Sequence, residues 1–174
     1  MPQWFSSLSE LSRLSILVKL LRQEDLELLG ALPVLHSLEL AVVPSGTTDD
    51  SLVVGADQPF RSLAKFHFDH YTRCWIVFSQ GVMPKLQRLE LYIPARKREG
   101  GGFDTGLENL ASLKHVTVTV DCEGAQIREV ENVETMVRGA IGMHPNHPTL
   151  ELSRQREYKM ATDEDKDDTE GSKE

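Results

Sequence analysis

The chain has 174 residues, a net charge of −8 and 40% hydrophobic residues, which suits one domain with an ample core. No stretch reaches the roughly 18 consecutive apolar residues of a membrane-spanning helix, and Met1-Pro2-Gln3-Trp4-Phe5 lacks the basic and apolar regions of a secretory signal. From Ala161 onward seven acids face two lysines, a net −5 that leaves −3 for residues 1–160; neither part offers the basic patch that nucleic acid requires.

Trp4, Phe5 and Leu8 read as the convex half of a coil and precede the first of five related phrases, Leu11-x-x-Leu14-x-Ile16. Between Gln23 and Leu29, three leucines sit among charges before Gly30 and Pro33, which predicts a short helix or turn. The second phrase, Leu35-x-x-Leu38-x-Leu40, leads into Pro44 to Pro59, rich in Gly, Thr, Ser and Asp and expected as an exposed loop. After Leu63-x-x-Phe66-x-Phe68, the apolar group Trp75, Ile76, Val77 and Phe78 belongs under the convex side. The fourth phrase is Leu86-x-x-Leu89-x-Leu91, followed by a second loop, Pro94 to Gly102. After Leu113-x-x-Val116-x-Val118, the residues Ile127, Val130, Val133, Val137 and Ile141 recur at helical steps. They predict an amphipathic helix near 124–142 that caps the end, with Leu150 and Leu152 in a last edge strand. The tail, 157–174, carries too few apolar residues to join a core and is expected to be disordered.

From first leucine to first leucine the phrases recur after 24, 28, 23 and 27 residues. A leucine-rich repeat has this consensus and a period of about 20–29 residues. Within each phrase the fourth and sixth residues alternate with polar ones, the signature of a strand with one buried face. One coil cannot bury its apolar set alone, so the strands are expected to stack as a parallel sheet around a continuous core. The predicted fold is therefore α/β: a leucine-rich-repeat solenoid of about five repeats over residues 1–156, with a curved parallel sheet on its concave side. Lys19, Val43, Tyr71, Pro94 and Asp121 stand after the strands, so no asparagine ladder is expected there.

This register sends three columns outward: Arg13, Ser37, Lys65, Arg88, His115; then Ser15, Glu39, His67, Glu90, Thr117; then Leu17, Ala41, Asp69, Tyr92, Thr119. First-column cations beside second-column carboxylates are expected to pair across strands. The candidate partner-binding surface is Arg13, Glu39, Lys65, His67, Arg88, Glu90, Tyr92 and His115, with Tyr92 and the arginines as anchors because Tyr and Arg are enriched in hot spots.

Motifs for chemistry are weak. Gly100-Gly101-Gly102 is followed by no Lys-Ser or Lys-Thr pair and reads as a loop tip. His67 and His70 lie three apart on a strand and face opposite sides, while His144 and His147 are separated by Pro145 and lack further ligands. The serines of Ser6-Ser7-Leu8-Ser9 have no identifiable base. No catalytic residue, cofactor or metal is expected. Cys74 and Cys122 form no CxxC pair, so reduced thiols and a cytoplasmic location are expected.

Several stretches resemble a known family. Met1 to Leu11 (MPQWFSSLSEL), Gln23-Glu24-Asp25-Leu26, Gly81 to Leu86 (GVMPKL) and Phe103 to Leu110 (FDTGLENL) are similar to the C-terminal repeats of plant intracellular immune receptors. These are the coiled-coil nucleotide-binding leucine-rich-repeat disease resistance proteins, in their cereal form. Gly124-Ala125, Glu129-Val130-Glu131 and His144 to Leu150 (HPNHPTL) resemble their terminal helix and closing segment. The resemblance covers about residues 1–156 and implies a role in defence against pathogens. In such receptors the repeats restrain the nucleotide-binding switch and help detect pathogen effectors or altered host proteins. Pathogen or host proteins, and the receptor's own nucleotide-binding domain, are thus the implied partners. This chain contains no P-loop, nucleotide-binding domain or coiled coil, so it reads as a detached portion of a receptor. A stand-alone repeat scaffold or adaptor, or a non-functional remnant, is the alternative.

Overall fold

The computed structural model describes residues 8, 10–43, 52–55, 60–70, 76–96 and 105–161, with His70 described by its backbone alone. The strands are β1 (Arg13–Val18), β2 (Ser37–Val42), β3 (Leu52–Val54), β4 (Lys65–His70), β5 (Ile76–Phe78), β6 (Arg88–Pro94), β7 (His115–Asp121) and β8 (Thr149–Gln155). The α-helices among the described residues are α1 (Gln23–Gly30) and α2 (Ile127–Met143). Six strands form one parallel sheet in the order β1-β2-β4-β6-β7-β8, and β3 pairs parallel to β5 in a second.

Each of the five phrases supplies one strand of the large sheet, and their apolar fourth and sixth residues point inward. Leu38, Leu40, Phe66, Phe68, Leu89, Leu91, Val116 and Val118 are all buried. The leading residues Leu35, Leu63, Leu86 and Leu113 are buried too and close each coil in front of its strand. The chain repeats its backbone solution as well. Leu11, Leu63, Leu86 and Leu113 each donate their N–H to the carbonyl three residues earlier, in the turn that opens the coil. The carbonyl just before β1, β2, β4 and β6 then serves two N–H groups of the next coil, as Ala64 does for Gln87 and Arg88. On the edge strand β1, Leu14, Ile16 and Val18 are only half-buried.

Side chains tie neighbouring coils together at the turns. Ser62 donates to the Pro33 carbonyl (2.7 Å), Ser112 to the Pro84 carbonyl (2.6 Å), and Asn146 Nδ2 to the Ala111 carbonyl. Asn109 Nδ2 likewise reaches the Phe78 carbonyl (2.8 Å). Side-chain links between coils therefore exist, in the turns ahead of the strands, and each is worth roughly 1 kcal/mol.

Four expectations are corrected. The stretch Pro44 to Pro59 contains β3, because Leu52 and Val54 are apolar at alternate positions and bury themselves beside Ile76 and Phe78 of β5. The other residues of that loop, Trp75 and the loop residues 97–102 lie outside the described residues. The amphipathic helix α2 is not the end of the array. It spans the connection from β7 to β8, the last edge strand expected at Leu150 and Leu152, which makes six strands in the large sheet. Val130, Val133, Val137 and Ile141 are buried as expected, whereas Ile127, in the first turn, is half-exposed. The boundary at 156 also moves: Glu157–Lys159 form a 3-10 turn, and Ala161 N–H donates to the Ala125 carbonyl (3.0 Å). Residues 162–174, expected as a disordered tail, lie outside the described residues.

Gly106 carries one sharp backbone requirement. It opens the 3-10 turn Leu107–Asn109 at φ +66°, and a Cβ there would lie 2.2 Å from the Phe78 carbonyl oxygen. That oxygen is fixed by Asn109. Gly106→Ala should therefore cost about 2 kcal/mol in urea-unfolding stability, from strain and overlap together.

Candidate functional site

Parallel pairing places the outward residues in the expected rows. Arg13, Ser37, Lys65, Arg88 and His115 stand side by side, and Thr149 extends the row. Ser15, Glu39, His67, Glu90 and Thr117 form the second row with Glu151, and Leu17, Ala41, Asp69, Tyr92 and Thr119 the third with Ser153. Among the described residues the first two rows of the outward face are left largely uncovered.

Over β1 to β6 this open face forms a shallow groove of about 660 Å³, bordered by Arg13, Glu39, Lys65, Arg88 and Glu90. The expected pairing of the first row with the second does not occur. Among the described residues the ion pair on this part of the face is His67 Nδ1 with Glu90 Oε2 at 3.1 Å, both second-row groups. Arg13, Lys65 and Arg88 are exposed and have no ion pair among the described residues. The groove is thus lined by cations that the fold does not use.

At the other end of the strands the face is occupied. Tyr92 is half-buried under Arg156, whose guanidinium lies 5.9 Å from the ring centroid and whose Nη2 donates to the Tyr92 hydroxyl at 2.8 Å. Arg156 Nε also donates to Asp121 Oδ1 at 2.8 Å, Nη2 reaches Asp121 Oδ2, and Nη1 reaches Glu123. Lys159 Nζ donates to Glu123 Oε1 at 2.8 Å. Tyr92 is therefore a seat for the chain's own C-terminal segment and not the open anchor that its position implied. Glu151 and Ser153 were missed because β8 lacks the full phrase that marks the other strands, and Arg156 and Asp121 because they meet across 35 residues of sequence.

Burial pushes the Tyr92 hydroxyl up to about 12, with the Arg156 hydrogen bond opposing and the Asp121 carboxylate adding to the rise. Because the folded value lies above the ordinary 10, the stability tied to neutral Tyr92 is whole below pH 10. It is lost as pH rises from there through about 12. Ultraviolet titration of phenolate should show a late step near that pH, absent in Tyr92→Phe.

The remaining sequence candidates do not converge. His144 is fully buried at the end of α2, where its Nδ1 accepts the Asn146 N–H (3.1 Å), whereas His147 is exposed. Among the described residues no group of three His, Cys, Asp or Glu is placed to hold a metal ion. Cys122 is a buried free thiol, and burial raises its pKa, which makes it unreactive. Arg154 links β8 to α2 through two hydrogen bonds to Glu134, 2.6 and 3.1 Å, and these hold the Glu134 carboxyl below the usual range. No helix among the described residues is long and apolar enough to cross a membrane.

A comparison with curated proteins finds no match. The leucine-rich repeat region family matches residues 1–150, which contain five of the six strands of the large sheet and α2. With that match over most of its length, and with its phrases supplying successive strands of a parallel sheet, the chain belongs to the leucine-rich-repeat family.

Proposed function

We propose that this chain is a protein-recognition and regulatory module, the repeat region of a plant intracellular immune receptor, acting through the open face of its large sheet. The observation that carries the recognition reading is the groove itself. Arg13, Lys65 and Arg88 stand unpaired beside Glu39, Glu90 and His67 on a face that the fold leaves uncovered. Family membership supports protein binding, and the phrases shared with receptor repeats support the defence role. On this reading the coils form a curved solenoid, the open face is concave, the protein works in the cytoplasm, and it is not an enzyme.

The recognition reading is tested by affinity capture from pathogen-challenged plant tissue, comparing the whole chain with its K65E/R88E variant. A protein retained by the first and lost from the second supports the groove as the binding surface; equal retention removes it. The receptor reading is tested by sequencing the transcript upstream of Met1. An in-frame P-loop and further repeats support it. Stop codons immediately upstream leave a stand-alone scaffold or a remnant.

A further inference from the structure

The parallel sheet gathers a basic rim from residues that are scattered in sequence. Arg13, Lys65 and Arg88 open β1, β4 and β6, and Arg61, Lys85 and Lys114 lie in the turns just ahead of β4, β6 and β7, at the same end of the sheet. All six are exposed, and none has an ion pair among the described residues. Glu10 and Glu108 are the described acids in the same turns, so the rim is cationic on a chain whose net charge is −8.

The first outward row decides what this rim fits. Arg13, Ser37, Lys65, Arg88, His115 and Thr149 stand side by side with no carboxylate among them. Each of these side chains can donate a hydrogen bond. The groove lies along this row, since Arg13, Ser37, Lys65 and Arg88 all line it. Strands lie about 4.8 Å apart, so the row is about 24 Å long, the reach of about seven extended residues. The second row carries Glu39, Glu90 and Glu151, which repel an anion that spreads over the face and confine it to the rim. A narrow anionic ligand is therefore favoured.

A single extended peptide meets that condition. Its alternate side chains recur about every 7 Å on one face, and the flexible Arg and Lys side chains adjust to them. Single-stranded nucleic acid is held by stacking of its bases on aromatic rings, and Tyr92, the Phe, Tyr or Trp of these rows, lies under Arg156. A lipid surface is broad and would bring its anionic headgroups over the second-row glutamates as well.

We infer that the rim takes an acidic segment of a partner protein, extended across the strands with its carboxylates on Arg13, Lys65 and Arg88 and the turn cations at its border. The inference rests on the recognition reading and names the chemistry of the partner. Each exposed pair is weak; several on one peptide act together, as where arginine clusters read acidic motifs.

The test titrates the isotope-labelled whole chain with a synthetic peptide of alternating Glu and Ser, about eight residues long. At low salt, amide signals of Ser37, Lys65, Arg88 and Lys114 should shift saturably, about tenfold more tightly than with the Gln–Ser peptide, and the shifts should vanish at about 0.5 M NaCl. K65E/R88E should weaken binding about tenfold or more. R128E/R138E, the same change of charge on exposed residues of α2, should weaken it less than about twofold. E39Q should tighten binding about twofold by removing one repelling charge, a gain that a poorly folded variant does not produce. No saturable shift at the rim, equal weakening by the two charge reversals, or E39Q binding no tighter overturns the proposal. So does tighter binding of oligothymidylate or of phosphatidylserine vesicles at the same residues, which would assign the rim to nucleic acid or to membrane. If the peptide fails while K65E/R88E still loses a captured protein, this inference falls and the recognition reading stands. If the peptide binds while capture is equal for both chains, the recognition reading falls and the chemistry of the rim stands.

Discussion

Phe66→Ala should lower the unfolding free energy by about 3–5 kcal/mol, the usual range for emptying a large aromatic site in a core. Phe66 is 1% exposed and sits on β4, with Leu38 on one side and Leu89 on the other in the register of the sheet. Its ring lies 6.0 Å from Phe68 and meets Phe78 edge-on at 6.4 Å. Phe78 belongs to β5, so this one side chain joins the large sheet to the small one. The site cannot collapse easily, because both neighbouring strands are held by their own ladders, and the cavity adds to the lost transfer energy. Phe66→Leu keeps much of the volume and should cost less than half as much. Urea denaturation checks both. A loss below about 1 kcal/mol for the alanine variant would mean that the two sheets are not packed through this ring.

Arg156→Ala is expected to cost about 3 kcal/mol, near the low end for orphaning one partner of a buried ion pair. The Asp121 side chain is 8% exposed and has Arg156 as its ion-pair partner, while Arg156 is 25% exposed, which moderates the loss. Arg156 holds its position at φ 58°, a left-handed conformation that non-glycine residues seldom adopt, so the fold already sustains strain there. Its removal should free the 3-10 turn Glu157–Lys159 and speed exchange of the Gly124 and Ala161 amides, whose acceptors are the Lys159 and Ala125 carbonyls. Arg156→Lys keeps the charge but loses the fork, and should fall between wild type and alanine. The double variant D121N/R156A should recover part of the loss, since the orphaned carboxylate is then gone. Strict additivity of the two single losses would show that Asp121 and Arg156 do not act as a pair.

Some of this was readable from the residues and some was not. The phrases from Leu11 to Val118 predicted the strands, their pairing register and the inward set, because alternation and a repeat of 23 to 28 residues are local properties. The position of α2 was readable from its three- and four-residue steps, and the edge strand after it from Leu150 and Leu152; the run of β8 on to Gln155 was not, because those two leucines are its only signal. β3 was hidden in the same way. Leu52-Val53-Val54 is three residues long among turn formers, and it becomes a strand only because Ile76–Phe78 arrives beside it.

The candidate surface divides along the same line. Sequence alone determined which side chains leave the sheet, since a strand of known inner face has a known outer one. Tertiary structure decided what those side chains do. Arg156 reaches Tyr92 across 64 residues and Asp121 across 35, distances over which no local pattern operates. Likewise Arg13, Arg61, Lys65, Lys85, Arg88 and Lys114 are diluted among acids along the chain and become one basic rim only when parallel strands bring every turn to the same end. Periodicity is a property of neighbours in sequence; charge and burial at a surface are properties of neighbours in space, and stacking the coils creates those.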